Sequence, residues 1–274
     1  VANEPAVSEA TWSHEVLESE LASALDTGQF FLVYQPTIDL QSNAFAGVEV
    51  LIRWRHPQRG VVSPELFISE LEASGQIVPV GRWALATACA QGAIWHDRGY
   101  RFAVSVNIST KQLESPDFAH DVAGALSSSR FDPALLVLEF AQGSLIGDET
   151  ATMKRLAELK ALGVRLAVDD FAPGETPLAD LTKFPIDIVK LDKGFIAGMT
   201  NSPEAAALIH TLVQLAKALG VQIIASGIED AEQRKRLAME EVSVGQGFHF
   251  SKPREAQEID RYLEDFAIFS GKPL

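Results

Sequence analysis

The sequence predicts an α/β protein folded as a single (β/α)8 TIM-like barrel, with antiparallel pairing of the first strands. Three observations predict it. Eight short runs rich in Val, Ile and Phe alternate with longer stretches of helical periodicity, a rhythm that calls for a largely parallel sheet with helices outside it. The length, 274 residues, suits one barrel, which typically takes roughly 250 residues. The link between the first two runs, IDLQSNA, is too short for a helical crossover, so those two runs must pair antiparallel.

The elements follow in order. Residues 1–11 are polar and carry Pro5, and read as a linker; 12–274 read as one barrel domain, the C-terminal part of a larger multidomain signalling protein. Trp12–Thr27 has helical periodicity, with Leu17, Leu21 and Leu25 four residues apart. The strand runs are FFLVYQ from Phe30, FAGVEVLIRW from Phe45, FAVSVN from Phe102, LLVLEF from Leu135, VRLAVDD from Val164, DIVKLD from Asp187, VQIIAS from Val221 and GFHF from Gly247. Helices are expected at Pro64–Ser74, Gly81–Trp95, Ala151–Leu162, Pro203–Leu219 and Ala231–Met239.

Composition narrows the partners. A formal charge of −14 argues against DNA or RNA binding by phosphate neutralisation. It leaves room for a small anion held by metal ions and a few placed cations. Cys89 is the only cysteine; no disulfide can form within the chain, and its apolar helical setting makes it a small buried hydrophobe. No apolar run reaches membrane-spanning length and no signal pattern opens the chain. The expected setting is cytoplasmic, without membrane contact from this segment.

The informative pattern is where acids and amides fall. Glu49 lies inside GVEVLIRW; Asn107 ends AVSVN; Glu139 nearly ends LLVLEF; Asp169 and Asp170 end VRLAVDD. Lys190 lies near the end of DIVKL, Ser226 ends QIIAS, and Gln246 opens the last run. A charge within a buried strand is costly unless paired or metal-bound, and barrel sites form at the C-terminal ends of successive strands. An all-oxygen set suits Mg2+ or Mn2+. Two such ions about 4 Å apart activate water at a phosphodiester, with Lys190 as a fixed positive charge. Taken singly, each acid is as readily a strand-end cap or an ion-pair partner, and Lys190 a neighbour for Asp187 or Asp192. Repetition on successive strands favours a site. The pairs His96-Asp97 and His120-Asp121 read as solvated helix faces, and Gly245-Gln246-Gly247 lacks the third glycine of a nucleotide fingerprint.

From about Leu17 to Arg254 these motifs resemble the EAL-domain family of cyclic di-GMP phosphodiesterases and their inactive relatives. Tyr34-Gln35-Pro36 resembles its YQP, Glu49-Val50-Leu51-Ile52-Arg53-Trp54 its EALLRW, Asp169-Asp170-Phe171 its DDF, and Gln246-Gly247-Phe248 with Phe250-Ser251-Lys252-Pro253 its QGYxFSKP. Asn107 in SVNIS, Glu139 in LVLEF and Lys190 in FPIDIVKLD fall in the same order. The resemblance implies metal ligation by Glu49, Asn107, Glu139, Asp169 and Asp170. It implies catalytic work by Lys190, Asp170 and Gln246, and contact with cyclic di-GMP from Gln35, Glu49, Leu51, Arg53, Asn107, Asp169, Glu229, Gln246, Phe248 and Pro253.

Departures decide the kind of member. Ala225-Ser226-Gly227-Ile228-Glu229 stands for AEGVE, so Ser226 replaces an acid that active members need near the metal-bound water. Glu139-Phe140-Ala141-Gln142 stands for ExTE, so the loop-anchoring second acid is an amide. The loop itself, Asp169–Pro177, gains two prolines where DDFGTGYSS is usual. Serine is no base near neutral pH, and losing a general base costs about 10²–10⁴-fold in rate. The expectation is therefore a degenerate receptor for cyclic di-GMP with little or no hydrolysis, the alternative being an active phosphodiesterase producing pGpG. Expected partners are cyclic di-GMP, a second copy of the chain, and an upstream signalling domain or protein partner.

Overall fold

The computed structural model describes residues 14–145, 148–171, 181, 183–199 and 202–270. The linker at 1–11 and the segment Ala172–Pro177 lie outside the described residues.

Strands β1 (Phe30–Asp39) and β2 (Phe45–His56) form an antiparallel hairpin that sets Gln35 opposite Glu49. A short strand β3 (Gly60–Val62) pairs with the far end of β2. From β2 the sheet runs on through parallel strands β4 (Ala103–Ile108), β5 (Leu136–Ala141), β6 (Arg165–Phe171), β7 (Ile188–Leu191), β8 (Gln222–Ala225) and β9 (Val244–Gln246). Strand β9 then pairs antiparallel with β1, Gln246 opposite Thr37, and closes an eight-stranded barrel with β3 appended outside the ring. Both the closure and the antiparallel start match the sequence pattern.

The helices are α1 (His14–Ala24), α2 (Ile68–Ser74), α3 (Ile77–Asp97), α4 (Thr110–Glu114), α5 (Phe118–Ser129), α6 (Glu149–Ala161), α7 (Lys193–Gly198), α8 (Pro203–Leu219), α9 (Ala231–Met239) and α10 (Ala256–Ser270). The start of α6 lies two residues ahead of its expected position because Asp148 caps it, accepting the Ala151 N–H at 3.0 Å. α3 begins four residues early, with Pro79 in its first turn, where no intrahelical N–H is needed. Cys89 is buried as expected, and burial pushes its thiol up to about 12. Of the two His-Asp pairs, His120 and Asp97 are exposed and Asp121 pairs with Arg82 at 2.9 Å.

One strand differs from the sequence reading. The last strand is Val244–Gln246, so Gln246 ends it rather than opens it, and Gly247–Phe250 is a turn instead of a strand. The reason is backbone crowding. Ile228 donates its N–H to the Gln246 carbonyl at 2.9 Å and accepts from the His249 N–H at 3.0 Å. A Cβ on residue 247 would collide with the Ile228 backbone, so only glycine lets the two segments touch.

Period-two alternation then builds the interior in layers. Val137, Ala167, Ile188, Ile224 and Val244, with Ala46 and Ala103, form an apolar plug inside the barrel. Two residues further along the five strands of that first group come Glu139, Asp169, Lys190, Ser226 and Gln246. A polar ring therefore sits directly on the plug. Below it, Lys160 ties α6 to the strand bottoms, contacting the Asp187 carboxylate at 2.8 Å and the Val164 carbonyl at 3.1 Å.

Gly247→Ala is expected to lower stability by about 1–3 kcal/mol, read as an earlier urea midpoint, because the new methyl must push against backbone.

Candidate functional site

The polar ring is held together by one cation. Lys190 Nζ lies 2.5 Å from Glu139 Oε2, 3.0 Å from Asp169 Oδ2 and 3.1 Å from Glu49 Oε2. The ammonium is only 2 % exposed, as is Glu139. Asp187 pairs with Lys160 instead, and Asp192 caps α7 by accepting the Gly194 N–H at 2.7 Å. Neither is a partner of Lys190 in the described contacts. Around the ammonium a second set of bonds converges. Asn107 Nδ2 donates to Glu49 Oε1 at 2.8 Å. Gln246 Nε2 donates to Glu49 Oε2 at 2.8 Å and to Gln35 Oε1 at 3.0 Å. Gln35 in turn donates to the Ser251 carbonyl at 3.2 Å, so the C-terminal turn is tied to the ring.

Charge states follow from this geometry. Burial works against ionising Glu49, but Lys190 and the bonds from Asn107 and Gln246 outweigh it and hold the carboxyl below its usual range. Glu139 is pushed up to about 8, chiefly by burial, with Glu49 and Asp169 adding to the shift and Lys190 opposing it. Burial also works against charging Lys190, yet Glu139, Glu49 and Asp169 together keep its proton bound well above the ordinary lysine range. Asp170 is raised by partial burial and by its neighbour Asp169. Its φ of 52° is uncommon for a residue other than glycine, and its N–H donates to Asp169 Oδ1 at 2.9 Å.

One oxygen each from Glu49, Glu139 and Asp169 lies within 4.8 Å of the others. Three carboxylates converging on one point, with an amide beside them and no Cys or His in the group, have the donor chemistry of a hard divalent ion. The residues present fit such a group.

A cavity of about 340 Å³ opens from this cluster. Asn107, Glu139, Asp169 and Asp170 line its polar end, and Leu51, Ile52, Ile68, Ile77 and Val80 its apolar end. The lining does not include Arg53, Glu229, Phe248 or Pro253. Arg53 is half-buried on β2 and donates to the Ile52 carbonyl at 2.9 Å; Glu229 and Phe248 are exposed on the connections that leave β8 and β9. Ser226 completes the ring; among the described residues its buried Oγ has no hydrogen-bond partner, nor do the two amide atoms of buried Gln142 or Oε1 of Gln246.

The apolar wall was missing from the sequence reading. Ile68, Ile77 and Val80 come from α2 and α3, helices that look like ordinary core-packing elements. One available signal was Gly81: Gln112, which closes the α4 capping box with Ser109, lies where any Cβ on Gly81 would stand.

A closed barrel with a carboxylate–lysine ring at its C-terminal mouth defines a class of α/β barrels with an acidic, metal-fitting centre. Comparison with known proteins makes it specific. The profile described as EAL domain matches residues 18–253. "Uncharacterized protein sll1895" of Synechocystis is 37% identical over 250 residues, covering 91% of this chain and 36% of that protein. "Cyclic di-GMP phosphodiesterase PdeR" of Escherichia coli is 32% identical over 262 residues, covering 96% of this chain and 40% of that one. The solved structure titled "PaMucR Phosphodiesterase, c-di-GMP complex" superposes with a TM-score of 0.84 at 33% identity, over 89% of this chain and 99% of that one. The chain belongs to the EAL domain family. It spans well under half the length of the two curated relatives.

Lys190→Met is expected to leave three carboxylates around an empty centre and to destabilise the fold by about 3–5 kcal/mol, measured by urea unfolding at neutral pH. Millimolar Mn2+ should restore part of that loss.

Proposed function

We propose that this domain is a receptor for cyclic di-GMP that hydrolyses it slowly or not at all. Ser226 carries the reading. Among the described residues it is the ring member whose side chain offers neither charge nor a hydrogen bond, at the position where the family resemblance calls for an acid beside the metal-bound water. Gln142 supports it: an amide without partners replaces the acid that anchors the loop following β6. Binding needs only the pocket, whereas catalysis needs every part.

In this reading Glu49, Asn107, Glu139 and Asp169 hold Mg2+ or Mn2+, with Asp170 serving a second ion. A bound ion of this kind supplies Lewis-acid charge at a phosphodiester and lowers the pKa of water. Lys190 and Gln246 orient that water. Gln35, Leu51, Arg53, Phe248 and Pro253 hold the nucleotide, and Glu229 accepts from the adjacent N–H donors of a guanine edge, which a carboxylate does better than a neutral group. The relatives support the ligand: one bears the name of a cyclic di-GMP phosphodiesterase and another was solved with c-di-GMP. Among the described residues no helix is long and apolar enough to cross a membrane, in keeping with a cytoplasmic second-messenger protein that signals to a neighbouring domain, a second copy or a protein partner. The second reading, an active phosphodiesterase producing pGpG, is favoured by the retained oxygen triangle of Glu49, Glu139 and Asp169.

Calorimetry with Mg2+ or Mn2+ should show cyclic di-GMP bound in preference to GMP, and Glu229→Gln should weaken that binding by about 1–3 kcal/mol. Equal affinity for GMP would overturn the assignment.

Following pGpG formation separates the two readings. Native turnover near 1 s⁻¹, within the usual enzyme range of about 1–10³ s⁻¹, would establish the phosphodiesterase. The receptor reading expects far less, with Ser226→Glu plus Gln142→Glu raising the rate by more than the product of the single changes.

A further inference from the structure

The apolar end of the cavity has two sides. On the inner side, Ile52, Ile68, Ile77 and Val80 face the space that opens from the carboxylate ring. The same four residues belong to, or pack against, a satellite core separate from the main barrel core. That core is made of Leu17, Leu21 and Ala24 from α1, Phe30 from β1, Trp54 from β2, Val62 from β3, Phe67 just ahead of α2, Leu71 from α2, and the start of α3. The cavity wall and α1, the first described helix, therefore share one core.

Helix α1 is joined stiffly to this wall. Its buried positions, Leu17, Leu21 and Ala24, make one stripe, while Glu18, Ala22 and Ser23 are exposed. Past its C-terminus, Gln29 accepts from Trp54 Nε1 at 2.9 Å, and its carbonyl accepts from the Arg55 N–H at 2.8 Å. Midway along the helix, Glu20 Oε2 lies 3.2 Å from His56 Nε2. His56 Nδ1 accepts from the N–H groups of Gln58 and Arg59 at 3.1 and 3.2 Å, which leaves Nε2 as the proton-bearing nitrogen of the neutral ring, close to Glu20 but without a hydrogen bond to it. Strand β2 thus carries Glu49 and Leu51 at the site and Trp54 and His56 in contact with the α1 unit.

We propose that α1 is the signal-bearing element of the nucleotide site: the part of the nucleotide that Leu51, Asn107 and Asp169 contact enters the cavity they line, tightens the satellite core and thereby orders α1. The proposal rests on the receptor reading and adds the route by which binding is felt outside the barrel. The wall residues face the cavity and share a core with α1. An occupant that presses α2 and the first turn of α3 outward improves their contact with Leu17 and Leu21. Linkage is reciprocal: whatever firms α1 must raise affinity in the cavity by the same factor.

Hydrogen exchange on the 274-residue chain, with and without saturating cyclic di-GMP, tests it. Amides of residues 17–25 and 68–80 should exchange about fivefold or more slowly in the complex, the lower end of ordinary coupling, while α8, across the barrel, stays within twofold. Leu21→Ala, which removes packing from α1 but does not itself line the cavity, should weaken binding by about fivefold or more. Glu20→Gln, a milder change that keeps the helix folded, should weaken it by a smaller factor. If calorimetry shows binding but residues 17–25 exchange at unchanged rates, or if both folded variants bind as the native chain does, the relay is wrong and the receptor reading stands. If no heat of binding appears at all, the receptor reading fails and the relay falls with it.

Discussion

Everything at the mouth of this barrel depends on one buried ammonium. Three carboxylates within a few ångströms of one another, sealed below by apolar side chains, need a cation among them. Lys190 supplies it. Its contacts reach strands β2, β5 and β6 from β7, so the same interaction that neutralises the cluster also draws half of the barrel wall towards one point. Gln246 and Asn107 then need only to bond to Glu49 for the ring to be complete. The desolvation of these groups is expensive, and a core of hydrophobic residues would be more stable. A buried charge cluster kept at that cost is the mark of a site rather than of a scaffold.

The ring also shows how little separates an acidic centre from a working active site. Most positions offer charge or a bonded amide. Among the described residues the Ser226 hydroxyl, the Gln142 amide and Oε1 of Gln246 are instead buried and unpartnered, each costing about 1–3 kcal/mol. The family resemblance calls for acids at Ser226 and Gln142. Natural proteins keep such unsatisfied groups rarely, and here both adjoin the place where chemistry would be done. The molecule thus keeps the barrel and acidic centre of an EAL domain, and Ser226 and Gln142 are where the proposed receptor and the active enzyme part.

Behind the site the satellite core gives the fold a second centre. The main core joins the barrel to its ring of helices, whereas Trp54, Phe67, Leu71 and the α1 leucines form their own cluster on one flank. Trp54 is fully buried there, tilted against Phe30 and edge-on to Phe67, and a buried aromatic of this size contributes more than most aliphatic side chains to its surroundings. The two cores meet at Ile52 and Trp83, which pack against both.

The barrel class, the antiparallel start and the acids at strand ends were legible in the sequence because each follows from a local rule. Strand runs alternate with helical stretches, a seven-residue link cannot cross over, and a charged residue inside an apolar strand must have a purpose. Motifs in family order were equally legible. The position of the last strand was not: GFHF looks as strand-like as VGQ, and only the approach of the Ile228 backbone to Gly247 turns it aside. Nor could sequence say whether Lys190 would serve Asp187, Asp192 or the carboxylate ring, since all are within its reach along the chain or across it. The closed sheet decided that by pointing residue 190 inward, two positions above Ile188, into the layer that already held Glu139 and Asp169. The cavity wall from α2 and α3 is likewise a tertiary fact: amphipathic helices announce a buried face, but not which part of that face will be left uncovered when the barrel closes.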